Sequence, residues 1–183
     1  KFGGIRTGQA VLRWIYNRAR RALCDVPHAI PDQYELRRLA TPYFHSRLNG
    51  GEGDMLVGKA LWAYHHKKAH MICELSPYSC MPNTMSVGAM AAVIGKYPDL
   101  LYAPLEIKGD AEVHALSRCQ MILSEAKKRA QREYDEVLNR IGISPDKLAG
   151  RVTPEMRKAT YKVPHSGLAA GTAANFALHL ASC

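Results

Sequence analysis

The sequence predicts an α/β fold: a βαβα unit of a parallel sheet flanked by helices, with helical extensions at both ends. Three observations carry this prediction. Residues 70–75 (HMICEL) and 100–107 (LLYAPLEI) are short apolar runs of strand length. Each is followed by a loop or turn and then by apolar residues at helical spacing. The order strand, helix, strand, helix closes through a right-handed crossover into a parallel pair with helices packed on it.

Taken in order, residues 9–23 set Val11, Trp14, Ile15, Ala19, Ala22 and Leu23 near helical spacing, with Arg13, Arg18, Arg20 and Arg21 between them. This is a basic amphipathic helix. Pro27 and Pro31 interrupt it, and a shorter helix is expected from Asp32 to about Leu39. Gly50, Gly51 and Gly53 make a loop, with Asp54 expected to cap the helix that follows over 55–68. After the first strand, Pro77 and Pro82 are expected to exclude regular structure from SPYSCMPN, leaving Asn83 or Thr84 to cap a helix through Tyr97. Pro104 is expected to weaken the far half of the second strand because it lacks an N–H. Beyond a turn at 108–110, Leu116, Cys119, Leu123, Ala126, Tyr134 and Val137 form a sustained helical stripe. The tail reads as two or three short helices, the last rich in Ala and Gly and suited to close packing on another helix.

The chain divides into a basic helical segment (1–50), an α/β core (51–141) and a short-helix tail (142–183). Two strands are too few to cover their own edges and faces, so the rest of the sheet is expected from sequence outside this chain or from another subunit. The start at Lys1 rather than Met fits the same expectation.

Composition is that of a soluble globular chain: 183 residues, 47% apolar and 22% charged. No apolar stretch approaches the roughly 18–20 residues that span a bilayer, and no signal-peptide h-region is present at the start. The expectation is a cytoplasmic protein that does not engage a membrane. The net charge of +9 is unevenly spread, with nine basic against three acidic residues over 1–50, five of each over 51–109 and eleven against eight over 110–183. A basic chain invites a nucleic-acid reading. The excess lies in the flanks, however, with no interleaved aromatic platform, and this favours docking to an acidic partner or to a phosphate-rich ligand. Cys24, Cys73, Cys80, Cys119 and Cys183 are odd in number and scattered, which suits a reducing compartment better than a disulfide scaffold. No CxxC or zinc-finger spacing occurs.

Ligands of open α/β sheets bind at the carboxyl ends of the strands. The loop SPYSCMPN has that position, and Cys80 within it precedes a helix whose N–H groups and dipole favour a thiolate. Glu52, in the glycine loop, is a candidate base or hydrogen-bond acceptor at the same site. Arg118 is a candidate for holding a carboxylate or a CoA phosphate. Cys73, inside the first strand, and Cys119, on the helical stripe, read as core residues. His65 and His66 read as a helix-end pair, and Asp135 and Glu136 as a solvated face.

The features Gly51, Glu52, Gly53, then Gly58 and Lys59, then Pro77-Tyr78-Ser79-Cys80-Met81-Pro82-Asn83, then Arg118 in HALSRCQMIL, resemble the carboxy-terminal region of large proteins related to the activators of 2-hydroxyacyl-CoA dehydratases. That region is itself similar to the cluster-bearing dehydratase subunits and to the double-cubane cluster proteins. The resemblance covers residues 51 to about 130, and the Cys-containing loop between strand and helix is its specific part. It implies an iron–sulfur protein of anaerobic CoA-thioester metabolism, with activators that couple ATP hydrolysis to low-potential electron transfer. It also implies that Cys80 ligates a cluster of the 4Fe–4S or double-cubane type, the remaining ligands lying outside this chain. Departures from the pattern are Tyr78 for the usual Phe, Lys108 where many members have Asp, and the lack of companion cysteines upstream, where only Cys24 occurs. The ATP-binding domain of the activators is absent.

The function expected is the carboxy-terminal part of such a protein, working with the rest of a larger polypeptide or with a dehydratase or activator subunit, and with acyl-CoA as a possible ligand. The alternative is a metal-free interaction module of the same fold that docks a partner subunit.

Overall fold

The computed structural model describes residues 2–45, 47–48, 51–109 and 112–182. Gly50 of the glycine loop, Asp110 of the turn after the second strand, and Cys183 lie outside the described residues. The fold is mixed α/β: seven α-helices, one short 3-10 helix at Glu155–Arg157, and a two-stranded parallel sheet among the described residues.

Helix α1 (Phe2–Ala22) begins seven residues earlier than its apolar spacing indicates. It stops where Cys24 and Asp25 take positive φ of 54° and 57°, a turn held by the Asp25 N–H to the Arg20 carbonyl and by an Arg20–Asp25 ion pair at 2.9 Å. Helix α2 (Gln33–Ala40) is capped by Asp32, whose carboxylate accepts from the Tyr34 N–H at 3.2 Å. Helix α3 (Gly53–His65) takes Glu52, not Asp54, as its N-terminal flanking residue. Asp54 is the second helical residue, where its charge still favours the positive end of the dipole.

Strand β1 (Ile72–Pro77) runs two residues later than the apolar run predicts, and Pro77 is its last residue rather than a breaker. Helix α4 (Met81–Lys96) starts directly after Cys80, which is its N-cap. Pro82 fits the first turn because N–H groups there lack helical partners in any case. Neither Asn83 nor Thr84 is the cap; both lie inside the helix.

Strand β2 (Tyr102–Ile107) pairs with β1 in parallel register, Ile72 opposite Tyr102 through Pro77 opposite Ile107. Bonds from the Ile72 N–H to the Leu101 carbonyl and from the Tyr78 N–H to the Ile107 carbonyl turn the odd-numbered backbone groups of β2 toward β1. Pro104 therefore has its nitrogen on the outer edge, where no ladder bond is lost, and the strand continues past it.

Helix α5 (Glu112–Ile141) is 30 residues long. Its stripe is covered unevenly: Ala126 and Val137 are buried, while Leu116 and Leu123 are 55% and 40% exposed. Helices α6 (Pro145–Ala149) and α7 (Thr172–Ser182) complete the chain. As its small residues predict, α7 lies closely on α5, with Ala174 and Ala177 buried beside Val137.

Two apolar clusters result. The first packs α2, α3 and α4 with the start of the sheet, around Phe44, Val57, Leu61, Met90, Val93 and Leu100. The second joins the carboxyl half of α5 to α6 and α7, around Val137, Leu148, Ala174 and Leu180. No described helix is long and apolar enough to cross a membrane.

Candidate functional site

The carboxyl end of β1, the turn after it and the first turns of α4 converge on a buried carboxylate. Glu74 is the centre of β1 and is only 7% exposed. Three neutral donors serve it. Asn83 Nδ2 lies 3.0 Å from Oε1, the Ser86 hydroxyl bonds the same oxygen, and the Tyr102 hydroxyl donates to Oε2 at 2.7 Å. Register explains the arrangement: even-numbered residues of β1 and β2 share one face of the sheet, which brings Tyr102 beside Glu74. Asn83 and Ser86 are three apart on α4 and so share a helix face. Burial, and then the bond to Glu74, push the Tyr102 phenol far above its usual range, with the Arg118 charge opposing them. Tyr102 is therefore a fixed donor to Glu74, not a proton source.

Cys80 extends this network outward. Its thiol is partly exposed and donates to Asn83 Oδ1 at 3.2 Å, so one amide bridges the thiol and the buried carboxylate. The loop geometry is firm. Ser79 takes a positive φ of 60° and its N–H bonds Glu106 Oε1 at 3.2 Å, tying the turn to the end of β2. The Cys80 carbonyl accepts from both the N–H and the hydroxyl of Thr84, each at 2.9 Å. Lys108 sits over the Tyr78 ring at 5.2 Å.

Of the other sequence-derived candidates, Glu52 stands beside this site but opens away from it. A Cβ on Gly51 would meet Pro82 Cγ at 2.8 Å, and one on Gly53 would meet Phe44 Cζ at 2.8 Å, so the glycine loop is packed on the start of α4. Glu52 itself is exposed and lines a cleft of about 540 Å³ between α1, α2 and α3, together with Arg13, Tyr34 and Arg37. Arg118 is exposed on α5, close enough for its charge to act on Tyr102. The structure thus groups Cys80 with Glu74, Asn83, Ser86 and Tyr102, gives Arg118 only a charge effect on Tyr102, and leaves Glu52 on another cleft.

Cys73 is exposed rather than a core residue, because its sheet face is only partly covered by α5. Cys119 is partly exposed, and Cys24 is exposed in the turn after α1. His66 follows α3, with Nδ1 3.1 Å from the Trp62 carbonyl, in keeping with a helix-end role.

A larger cleft, about 610 Å³, lies at the opposite, amino ends of the strands. Several of its polar groups pair with one another. The Tyr64 hydroxyl lies 2.8 and 2.9 Å from the two Asp99 oxygens, and Arg129 bonds Glu125 and the Asp99 carbonyl. Glu133 accepts from the Ala170 and Gly171 N–H groups and faces His70 Nε2, each at 2.8 Å. Burial works to raise the Glu133 pKa, but the two backbone donors and His70 outweigh it and hold the carboxyl below its ordinary value. This cleft fastens the carboxy-terminal segment to α5 and to His70, two residues before β1.

Sequence reasoning missed Glu74, Ser86 and Tyr102, and took Asn83 for a cap. A signal was present: Glu74 is a lone carboxylate inside an apolar strand, which demands buried donors. Glu133 gave no signal, since it lies in a run of charges ordinary for an exposed helix face.

Among the described residues, no three His, Cys, Asp or Glu side chains converge as a metal site. Comparison of the chain with family models, with curated proteins and with solved structures finds no match.

Proposed function

We propose that the chain is the Cys80-bearing part of an iron–sulfur protein related to the 2-hydroxyacyl-CoA dehydratases and their ATP-dependent activators, taking part in low-potential electron transfer in anaerobic acyl-CoA metabolism. The observation that supports this is the partly exposed Cys80 thiol at the carboxyl end of a parallel strand, where α4 begins, oriented by Asn83 over a fully bonded buried carboxylate. Cys80 would hold such a cluster as one ligand, and since no three candidate ligands converge among the described residues, the others would have to come from elsewhere. When bound, such a cluster supplies one-electron chemistry at low potential.

The chain's own part is to present the sulfur. Cys80 presents it from the N-cap position of α4, with Pro82 in the first turn of that helix. Asn83 fixes the direction of the sulfur because its amide is anchored on Glu74. Ligation would release the thiol proton and end the bond from Sγ to Asn83. Arg118, exposed on α5, suits the phosphate or carboxylate of an acyl-CoA.

The test is anaerobic isolation of the protein with its partners from its native cells, with iron and acid-labile sulfide measured in wild type and Cys80→Ala. Both are expected in the wild type and at background in the variant, with unchanged far-ultraviolet circular dichroism. Absence of iron from the wild type, or equal iron in the variant, overturns the reading.

A metal-free docking module is the second reading. It is favoured by the apolar surface left open on the sheet and α5, where Leu75, Ile107 and Leu116 are 64%, 54% and 55% exposed. It is the reading that remains if an iron-free wild type still holds its partner.

A further inference from the structure

We propose that Cys73 and Cys119 form a redox-active dithiol that takes small-molecule disulfides as its substrate class and closes into an intramolecular disulfide joining β1 to α5. The two cysteines come from different elements and meet on one face of the sheet. Cys73 is the second residue of β1 and pairs laterally with Ala103, which is fully buried. The odd-numbered side chains of both strands share this face, and α5 lies against β2. Cys119 lines a cavity there with Leu105, Ile107 and Leu116. Cys119 is close enough to act on the Cys73 thiol, which makes the two side chains neighbours across this face.

Access is uneven in a useful way. Cys73 is exposed on a strand whose outer edge has no partner among the described residues, and Cys119 is half-buried beside it. A small disulfide reaches Cys73 first, with Cys119 placed to resolve the product. The remaining described cysteines lie on other elements: Cys80 bonds Asn83, and Cys24 is exposed in the turn after α1. None of the four is in a disulfide.

The chemistry balances as two exchanges. The Cys73 thiolate attacks one sulfur of the small disulfide, forming a mixed disulfide and expelling one small thiolate. The Cys119 thiolate then attacks Cys73 Sγ, forming the intramolecular bond and expelling the second small thiolate. The two protons lost by the protein are taken up by the two leaving thiolates. The protein is oxidised by two electrons and the small disulfide is reduced to two thiols. Burial and the neighbouring Cys119 raise the Cys73 pKa, so Cys73 is a thiol at neutral pH and closure quickens as pH rises. The bond would pin the amino half of α5, whose Leu116 is exposed, across to the edge strand.

The full chain is incubated with glutathione disulfide, quenched in acid, alkylated and mapped by mass spectrometry. The wild type is expected to yield the Cys73 peptide linked to the Cys119 peptide, with no glutathione kept on either. Cys119→Ser, lacking the resolving sulfur, is expected to keep glutathione on Cys73. Closure is expected to be roughly tenfold faster per pH unit below the Cys73 pKa, as the thiolate fraction grows. A lasting glutathione adduct on wild-type Cys73, a bond from Cys73 to any other cysteine, or two cysteines that stay reduced would each overturn the proposal. The wild-type map decides the matter even where a variant fails to fold.

Discussion

Glu74 shows what one buried carboxylate demands of its surroundings. Its three donors come from one strand and one helix; Asn83 and Tyr102 lose their partner if the carboxylate is removed, while the Ser86 hydroxyl keeps the Asn83 carbonyl as acceptor. Glu74→Ala is therefore expected to cost roughly 2–3 kcal/mol in urea denaturation, the scale of stranding buried donors. Glu74→Gln, which keeps one acceptor oxygen, should cost less. The same change should act on Cys80. With Asn83 released from Glu74, the thiol loses its fixed direction, and alkylation of Cys80 is expected to speed up in Glu74→Ala under native conditions. An unchanged alkylation rate would separate the thiol from the network. The position of Cys80 was legible in the sequence because a strand, a loop with a cysteine and a helix follow one another within a few residues. The bond from Tyr102 to Glu74 beneath it was not, because that contact depends on the parallel register of residues 28 apart.

The helices and strands were readable in kind and less so at their limits. Both strands lie near their apolar runs, but prolines were misjudged in three places for one reason: the cost of a missing N–H depends on where that N–H would point. At Pro77 the strand is ending, at Pro82 the helix is beginning, and at Pro104 the nitrogen faces an open edge. Helices α2 and α3 supply the sharpest prediction at this scale. A Cβ added at Gly58 would lie 2.8 Å from the Leu36 carbonyl carbon and nearer still to its oxygen. Backbone cannot move aside as a side chain can, so Gly58→Ala should separate α2 from α3 and cost about 1–3 kcal/mol. Gly88→Ala, with nothing within 4 Å of the added atom, should instead stabilise α4 slightly. Thermal unfolding of the two variants checks both, and a neutral Gly58→Ala would disprove the close crossing.

Across the whole molecule, α5 belongs to both halves: its amino half lies on the sheet, and its carboxyl half holds the tail through the second cluster. The polar fastening is Glu133. Its folded pKa lies below the ordinary carboxylate value of 4.5, so it stabilises the fold fully above that value. The contribution fades as pH falls through the folded pKa, when protonation weakens the bonds from Ala170 and Gly171. Hydrogen exchange of residues 172–182 is expected to accelerate below pH 4.5 ahead of exchange in α3 and α4, and Glu133→Gln should remove that acid dependence. Equal acceleration everywhere would show that the tail is not separately fastened. Legible in the chain alone were the α/β class, the order of strands and helices, the cysteine loop between strand and helix, and a small-residue helix suited to close packing on another helix. Those features rest on local periodicity and turn chemistry, which neighbouring residues encode. Only the tertiary structure decided that Glu74 is the buried centre of the Cys80 loop, that Glu52 opens elsewhere, that Cys73 is exposed beside Cys119, and that His70 meets Glu133 across 63 positions. Each of those depends on strand register and on the angle at which a helix crosses the sheet, and neither quantity has a local pattern in the chain.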